Sequence, residues 1–576
     1  MILGALGMLV ANAAALLGAQ AILERLRSGK PAVDFVLLLL LRLFLISAAV
    51  LVAGLARLLN PLALGLAGAA LIGVLVPLGV HRRLPRWSGG GWAPGWTLLA
   101  AAVAVRLLLQ VWFLAPYHAD ALGYHRPKVA ERVRAGGFGL EFGPDLRSTF
   151  PAGFELIETW WVVFLHHDVL IEAAGLEFLL LSAASTYAIA RELGWSSRTA
   201  TAAAALFVMN PALHFMATSC INDGAITGLL VATVALIVAG VHPLLVLLPV
   251  AMGAGVKPTF LYTLPGLALM AALLPRSEGV DPASRRTVLT VAAGALLVGA
   301  FWYLRNAVVY HNPIYPMGPG GMRSLVSGAI LQRVGPSWAS LRDNLGCFLD
   351  IRVYDAQTAP DALCTNNFNW GPVGFALGAV AAIPALREDR LLRRVASGLA
   401  VSALGVFLSV ELDPWCTRFV VFLAVLPALA LARFWDRYRF VPLLGGAALL
   451  VQFVSTCIPG NLPPETLKAL VRQGWRERSS MPAPAESRSS RVAYSCDDFG
   501  ESYPLYGPGY DRGVVYVRDR TAQDLLDHLD RDRIEAVYVS PNLHLRTAIF
   551  EEGVARGRLK PLRQGAWKGY EVLPPR

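Results

Sequence analysis

The chain of 576 residues is 55% hydrophobic and only 16% charged, with a mean hydropathy of +0.51, which excludes an ordinary water-soluble protein of this size. Its formal net charge of +11 does not point to nucleic acid, because the basic residues are spread through short loops between apolar runs instead of gathering on one polar face. Lipid is the solvent that this composition suits.

From Met1 to about Cys457, apolar stretches of roughly 15 to 22 residues recur, each close to what a helix needs to cross a hydrocarbon core. Met1 enters the first run directly, with no basic segment before it, so no cleavable signal peptide is expected. Lys and Arg favour cytoplasmic loops, which assigns to the inside the loops holding Arg25, Arg27 and Lys30; Arg82, Arg83 and Arg86; Arg191 and Arg198; Arg276, Arg285 and Arg286; Arg387, Arg390, Arg393 and Arg394; and Arg433, Arg437 and Arg439. The map that follows has about fourteen spans, near 1–23, 35–56, 61–80, 97–115, 168–190, 200–217, 225–240, 243–256, 259–274, 287–303, 371–386, 395–410, 419–432 and 441–457. It makes a multi-pass protein of the cell inner (plasma) membrane with both termini extracytoplasmic. All six cysteines then lie outside or at an outer helix end, where disulfides survive. Cys347 and Cys364 could close one outer loop for roughly 3 kcal/mol; six unpaired thiols is the alternative.

The expected fold is mainly α, a polytopic transmembrane helical bundle with a small C-terminal extracytoplasmic α/β domain. Residues 1–96 supply N-terminal spans and 97–457 a core with outer loops at 116–167 and 304–370. In the first loop, Pro127 and Gly136 bracket a short surface helix lying along the membrane, and the apolar stretch Phe154 to Phe164 reads as a juxtamembrane helix anchored by Trp160 and Trp161. The second loop, rich in Pro and Gly, reads as ordered but irregular. Residues 458–490 form a polar linker. In 491–576 the strand candidates are Val492 to Ser495, Val514 to Val517 and Ala536 to Ser540, with a helix starting at Thr521.

Chemistry concentrates at outer helix ends. Tyr117-His118-Ala119-Asp120-Ala121-Leu122-Gly123-Tyr124-His125-Arg126-Pro127 follows the fourth span, and partial desolvation there would raise the Asp120 carboxyl toward a useful general base. A second carboxylate, Asp223 in Cys220-Ile221-Asn222-Asp223-Gly224, falls on the same side of the membrane. An interfacial aspartate capping a helix is the plainer account of Asp120, and a helix-capping role for Asn222 or Asp223 is an equally good account of the second. Lys257, Arg305 and Arg418 are outer cations that run against the positive-inside bias; a phosphate held at the outer surface would explain them, as would snorkelling to lipid headgroups. Within the membrane, Arg42, Arg106 and Glu177 need partners, and Arg106 with Glu177 is the candidate ion pair. His118 and His125 are the only candidates for a divalent metal, without fixed ligand spacing, and no other cofactor is implied.

The run Asp120 to Pro127, the second aspartate at Asp223, and Arg305-Asn306 leading into Asn312-Pro313-Ile314-Tyr315-Pro316 together resemble the GT-C superfamily of membrane glycosyltransferases, which includes the protein O-mannosyltransferases and the aminoarabinose transferases of lipid A. The likeness covers roughly Thr97 to Cys457. It implies a GT-C type bundle, a sugar donor carried on polyprenyl phosphate, and an extracytoplasmic acceptor such as a cell-envelope glycan, lipid or protein. It also implies that Asp120 and Asp223 are catalytic, that Lys257, Arg305 and Arg418 hold the lipid phosphate, and that Tyr124 and His125 line the substrate site. The chain departs from the pattern at Ala121, where a second acid is usual, and in its three spans before Leu98. A transporter or flippase for a lipid-linked or polyanionic substrate is the competing expectation.

Overall fold

A computed structural model of the chain describes residues 2–575 apart from 84–93, 117, 139–145, 275–281, 319–320, 325–326, 334, 350–370, 412–415, 458–471, 473–488, 508, 541–546 and 563–567. Most of it is helical. Helices α1 (Ile2–Leu23), α2 (Pro31–Leu55) and α3 (Pro61–Leu75) form the N-terminal group, in which α1 packs along α3 and α2. The Asn60 side chain accepts from the Ala63 amide and Pro61 fills the next position, so α3 starts on a side-chain cap and a preset φ.

The body continues with α4 (Pro94–Phe113), α5 (Arg126–Ala135), α6 (Gly153–Val163), α7 (Ala173–Glu192), α8 (Ser197–Val208), α9 (Pro211–Thr218), α10 (Asp223–Val238), α11 (Pro243–Val256), α12 (Leu264–Leu273) and α13 (Pro282–Tyr310). After α14 (Trp338–Leu349) come helices Gly371–Glu388, Arg390–Ser409, Val425–Ala432 and Phe440–Cys457. Every span drawn from hydropathy coincides with helix, yet among the described residues six helices are long and apolar enough to cross a membrane, or seven if α8 and α9, bent by 62°, count as one. The others are short apolar helices of 10–17 residues or, like Gly371–Glu388, fall outside those six. Multi-pass membrane architecture follows from these apolar helices; fourteen full-length spans do not. Asn210 caps α9 through the Ala212 amide and Pro211 follows it, which produces the bend.

Helices α5 and α6 differ from expectation. The boundaries of α5 are as anticipated, with Gly136 closing it in the left-handed region at φ 63°, but it is not a surface helix: Arg126, Lys128 and Arg132 on it are buried. Helix α6 packs against α2 and α5, with Trp160 in the interior, so it is part of the core and not an interfacial anchor. Hydropathy shows that such segments are apolar, and only tertiary contacts show which other helices cover them.

The intramembrane charges also pair differently. Glu177 binds Arg42, whose guanidinium also donates to Asn12 Oδ1 at 2.6 Å, while Trp161 Nε1 donates to the other Glu177 oxygen at 2.9 Å. Arg106 instead lies 3.3 Å from His214 Nδ1. Helix α13 outruns its expected end by two turns, which places Arg305 and Asn306 on a helix, and it stops before His311 at φ 53°. Beyond it, strands β1 (Met317–Gly318), β2 (Gly321–Arg323) and β3 (Ile330–Gln332) make a small antiparallel sheet where an irregular loop was expected.

The C-terminal domain is a five-stranded sheet of order β5-β4-β6-β8-β7, built from β4 (Arg491–Ser495), β5 (Gly513–Tyr516), β6 (Ala536–Val539), β7 (Leu559–Pro561) and β8 (Lys568–Val572). β4 lies parallel to β5 and β6, and β8 runs antiparallel to β6. Helix Ala522–Arg531 is capped by Thr521 and lays Leu525, Leu526 and Leu529 on the sheet, as its sequence indicates. Cys220 and Cys496 are buried and form no disulfide; the expected Cys347–Cys364 bridge needs Cys364, which lies outside the described residues, as does most of the linker.

Candidate active site

Asp120 stands between α4 and a π-helical turn, Ala121–His125, that leads into α5. Such turns place side chains out of regular register and are common at functional sites. Asp223 occupies the first turn of α10, and Lys257 follows α11 directly, where Pro258 prevents the helix from continuing. Arg418 comes from the short helix Cys416–Ala424. These four segments meet.

The result is a continuous alternation of charge. Arg147 Nη1 lies 2.8 Å from Asp120 Oδ1, and Arg418 Nη2 lies 2.9 Å from Asp120 Oδ2. The Arg418 Nε is 3.2 Å from Asp223 Oδ2, and Lys257 Nζ reaches Asp223 Oδ1 at 2.6 Å. Phe419 backs the array, with Lys257 Nζ 4.1 Å from its ring centre. Neither aspartate caps its helix: neither Asp120 nor Asn222 makes a capping hydrogen bond, and Asn222 donates to the Val256 carbonyl at 3.3 Å.

The electrostatics reverse one expectation. Burial alone would raise the Asp120 carboxyl, but the Arg418 and Arg147 guanidiniums outweigh it and hold the group well below the usual carboxylate range. In this arrangement Asp120 is a paired carboxylate and a weak base. Burial also pushes the His118 imidazole down to about 4, with Asp120 opposing only part of the shift, so His118 is neutral near pH 7. His118 Nδ1 accepts from the Asp120 amide at 3.2 Å.

Of the expected site residues, Asp120, Asp223, Lys257 and Arg418 come together, and Tyr124 borders them with its ring centre 4.8 Å from the Arg147 guanidinium. His125 and Arg305 do not join them. His125 is fully buried and bonded through Nδ1 to Glu155 Oε1 at 3.0 Å, which Lys128 Nζ shares at 2.8 Å; it serves an internal polar cluster instead of facing a substrate. Arg305 is buried and donates from Nη2 to the Thr149 carbonyl and to Asn306 Oδ1, each at 2.5 Å. It braces the segment from which Arg147 projects. Arg147 itself was missed, and its one sequence signal is that it is another basic residue in an outer loop. Among the described residues, no three His, Cys, Asp or Glu side chains are arranged to hold a metal ion.

No family model and no curated protein matches the chain. Solved structures similar to it include two proteins. One is ArnT from Cupriavidus metallidurans, at TM-score 0.49 and 13% identity over 83% of this chain and 98% of that one; ArnT bound to undecaprenyl phosphate gives 0.47 and 12% over the same shares. The other is the arabinofuranosyltransferase AftD from Mycobacteria, at TM-score 0.37 and 15% identity over 84% of this chain and 40% of that one.

Proposed function

We propose that this chain is an integral membrane glycosyltransferase that moves a sugar from a polyprenyl-phosphate carrier to an extracytoplasmic acceptor with inversion at the anomeric carbon. The observation that carries this reading is the array Arg147–Asp120–Arg418–Asp223–Lys257. Its three cations against two carboxylates leave one positive charge, 3 − 2 = +1, which complements the single negative charge of a sugar phosphodiester.

The array also suits the chemistry. A phosphate that draws Arg418 and Lys257 onto its oxygens takes a guanidinium away from Asp120, and the carboxylate becomes more basic where a base is needed. The acceptor oxygen then attacks the anomeric carbon, its proton passes to Asp120, and the bond from that carbon to the phosphate oxygen breaks. The electron pair leaves with the phosphate, whose developing charge Arg418 and Lys257 stabilise. Asp223 orients both cations. A lipid-linked donor is supported further by an apolar cavity of about 420 Å³ that includes Leu423 and Ala424, on the same short helix as Arg418. The site would open at the outer surface of the inner membrane.

The test is the purified protein in lipid nanodiscs with a panel of polyprenyl-phosphate-linked sugars. A new glycosidic bond that Asp120→Asn abolishes is the expected outcome. Movement of lipid-linked sugar across vesicles without a new bond would replace this reading with a transporter.

A further inference from the structure

Among the described residues, the C-terminal domain approaches the array through the segment Phe499 to Tyr510. Its sheet has apolar cores of its own, but Tyr506 and Tyr510 belong to the core of the helical body, and Tyr503 packs against that core. Tyr503 opens a short helix, Tyr503–Tyr506, that meets both α5 and the π-helical turn after Asp120.

Two contacts from this segment reach the groups that set Asp120. The Arg126 guanidinium lies 3.7 Å from the centre of the Tyr503 ring, and the Tyr503 hydroxyl donates to Asp168 Oδ2 at 2.9 Å and lies 3.0 Å from the Tyr510 hydroxyl. Arg126 pairs with the same Asp168 oxygen and donates to the Pro116 carbonyl at 2.6 Å. It therefore ties the two ends of the 116–126 loop that carries Asp120, and Tyr503 covers that tie from the other domain. Four residues earlier, the Phe499 ring lies 4.3 Å from the Arg147 guanidinium, on the cation bound to Asp120.

We infer that Tyr503 is a positioning residue, which fixes the Asp120 loop through Arg126, and that the C-terminal domain thereby completes the active site without touching the reacting atoms. The kinetic part rests on the glycosyltransferase reading; the loop placement does not. A cation held against an aromatic face and a buried carboxylate loses little by staying in place and much by leaving it. A small displacement of a reacting group is costly to turnover.

The experiment uses the full-length protein in nanodiscs with Tyr503→Leu, which fills the space without the aromatic face, and Tyr503→Phe, which keeps the face. Tyr503→Leu should raise amide hydrogen exchange across 118–126 by about tenfold, and lower kcat by about 100-fold with donor KM within about twofold of wild type. Tyr503→Phe should exchange about threefold faster than wild type and recover most of kcat. Unchanged exchange in Tyr503→Leu overturns the inference, as does a loss seen in donor KM alone. If Tyr503→Leu does not fold, exchange in Tyr503→Phe indistinguishable from wild type overturns it. Faster exchange in Tyr503→Leu with a wild type that transfers no sugar from any polyprenyl phosphate sinks the glycosyltransferase reading and keeps the loop placement.

Discussion

Arg418 donates from Nη2 to Asp120 Oδ2 at 2.9 Å although 298 positions separate the two residues. The same guanidinium faces Asp223, so one side chain bridges two carboxylates that would otherwise repel each other. Arg418→Gln should destabilise the protein by about 3–5 kcal/mol, the usual cost of removing one partner from a mostly buried ion pair. Arg418→Lys keeps the charge but not the fork, and should fold while losing about 100-fold in kcat/KM. Thermal melting and turnover measured on both variants check this; a Lys variant with full activity would remove the two-aspartate bridge from the mechanism.

Stability should depend on pH through His118 and not through Asp120. Asp120 is depressed, so its contribution is complete above its unfolded value of about 3.9 and is lost only as pH falls through the lower folded value. His118 is also depressed, to about 4, but for an imidazole this means that between pH 6.5 and 4 the unfolded chain takes up a proton that the folded chain refuses. From pH 7 to 5 this removes up to about 2 kcal/mol. The melting temperature should fall over that interval in the wild type and fall less in His118→Gln; equal slopes would exclude His118 as the source.

The Arg42–Glu177 pair should behave as a buried couple. Glu177→Gln leaves Arg42 with only the Asn12 contact and a neutral partner, and should lower stability by about 3 kcal/mol. The double variant Arg42→Met with Glu177→Met should recover most of that loss, since no charge is left stranded. Melting of the single and double variants in the same nanodisc lipid is the measurement, and a double variant worse than the single would point to a role for the charges beyond packing.

Helices α11 and α13 cross where Gly255 meets Gly299: a Cβ on Gly299 would sit 2.1 Å from the Ala251 carbonyl oxygen. Close crossing at small residues is how helices associate in lipid. Lys257 follows α11, and Arg305, which bonds the Thr149 carbonyl next to Arg147, lies farther along α13, so this crossing sets Lys257 relative to the brace of the Arg147 segment. Gly299→Leu should cost about 1–3 kcal/mol through overpacking and reduce turnover, whereas substitution at Gly73, which has open space around it, should not affect melting.

Part of this arrangement was legible from residues alone. Asp120 and Asp223 could be matched because alternating basic loops put both on one side, and the C-terminal strands could be read because runs such as Val514–Val515 and Val537–Tyr538–Val539 are β-formers between turn signals. Pairing across the bundle could not be read. Hydropathy shows that Glu177 is in an apolar helix but not which neighbour it faces, and so the expected partner, Arg106, differs from the actual one, Arg42. Arg305 was misread because nothing between Tyr303 and Tyr310 breaks the helix, which carries it past the expected boundary into a bracing role. Arg147 belongs to no motif; it matters only because the fold brings it against Asp120.

The order of synthesis gives the Asp120–Arg418 contact a further meaning. A ribosome adding about 5–20 residues per second needs on the order of 15–60 s to make the 298 positions between them. For the last 195 of those positions, counted from Asp223 to Arg418, the nascent chain holds both acidic groups while the counter-charge they share does not yet exist, so water, lipid headgroups or an insertion partner must accommodate them. The centre is sealed late, by one of the last helices to emerge, and a message cut short before that helix would yield a bundle whose two acids have only Arg147 and Lys257 to hold them, with nothing bridging the two.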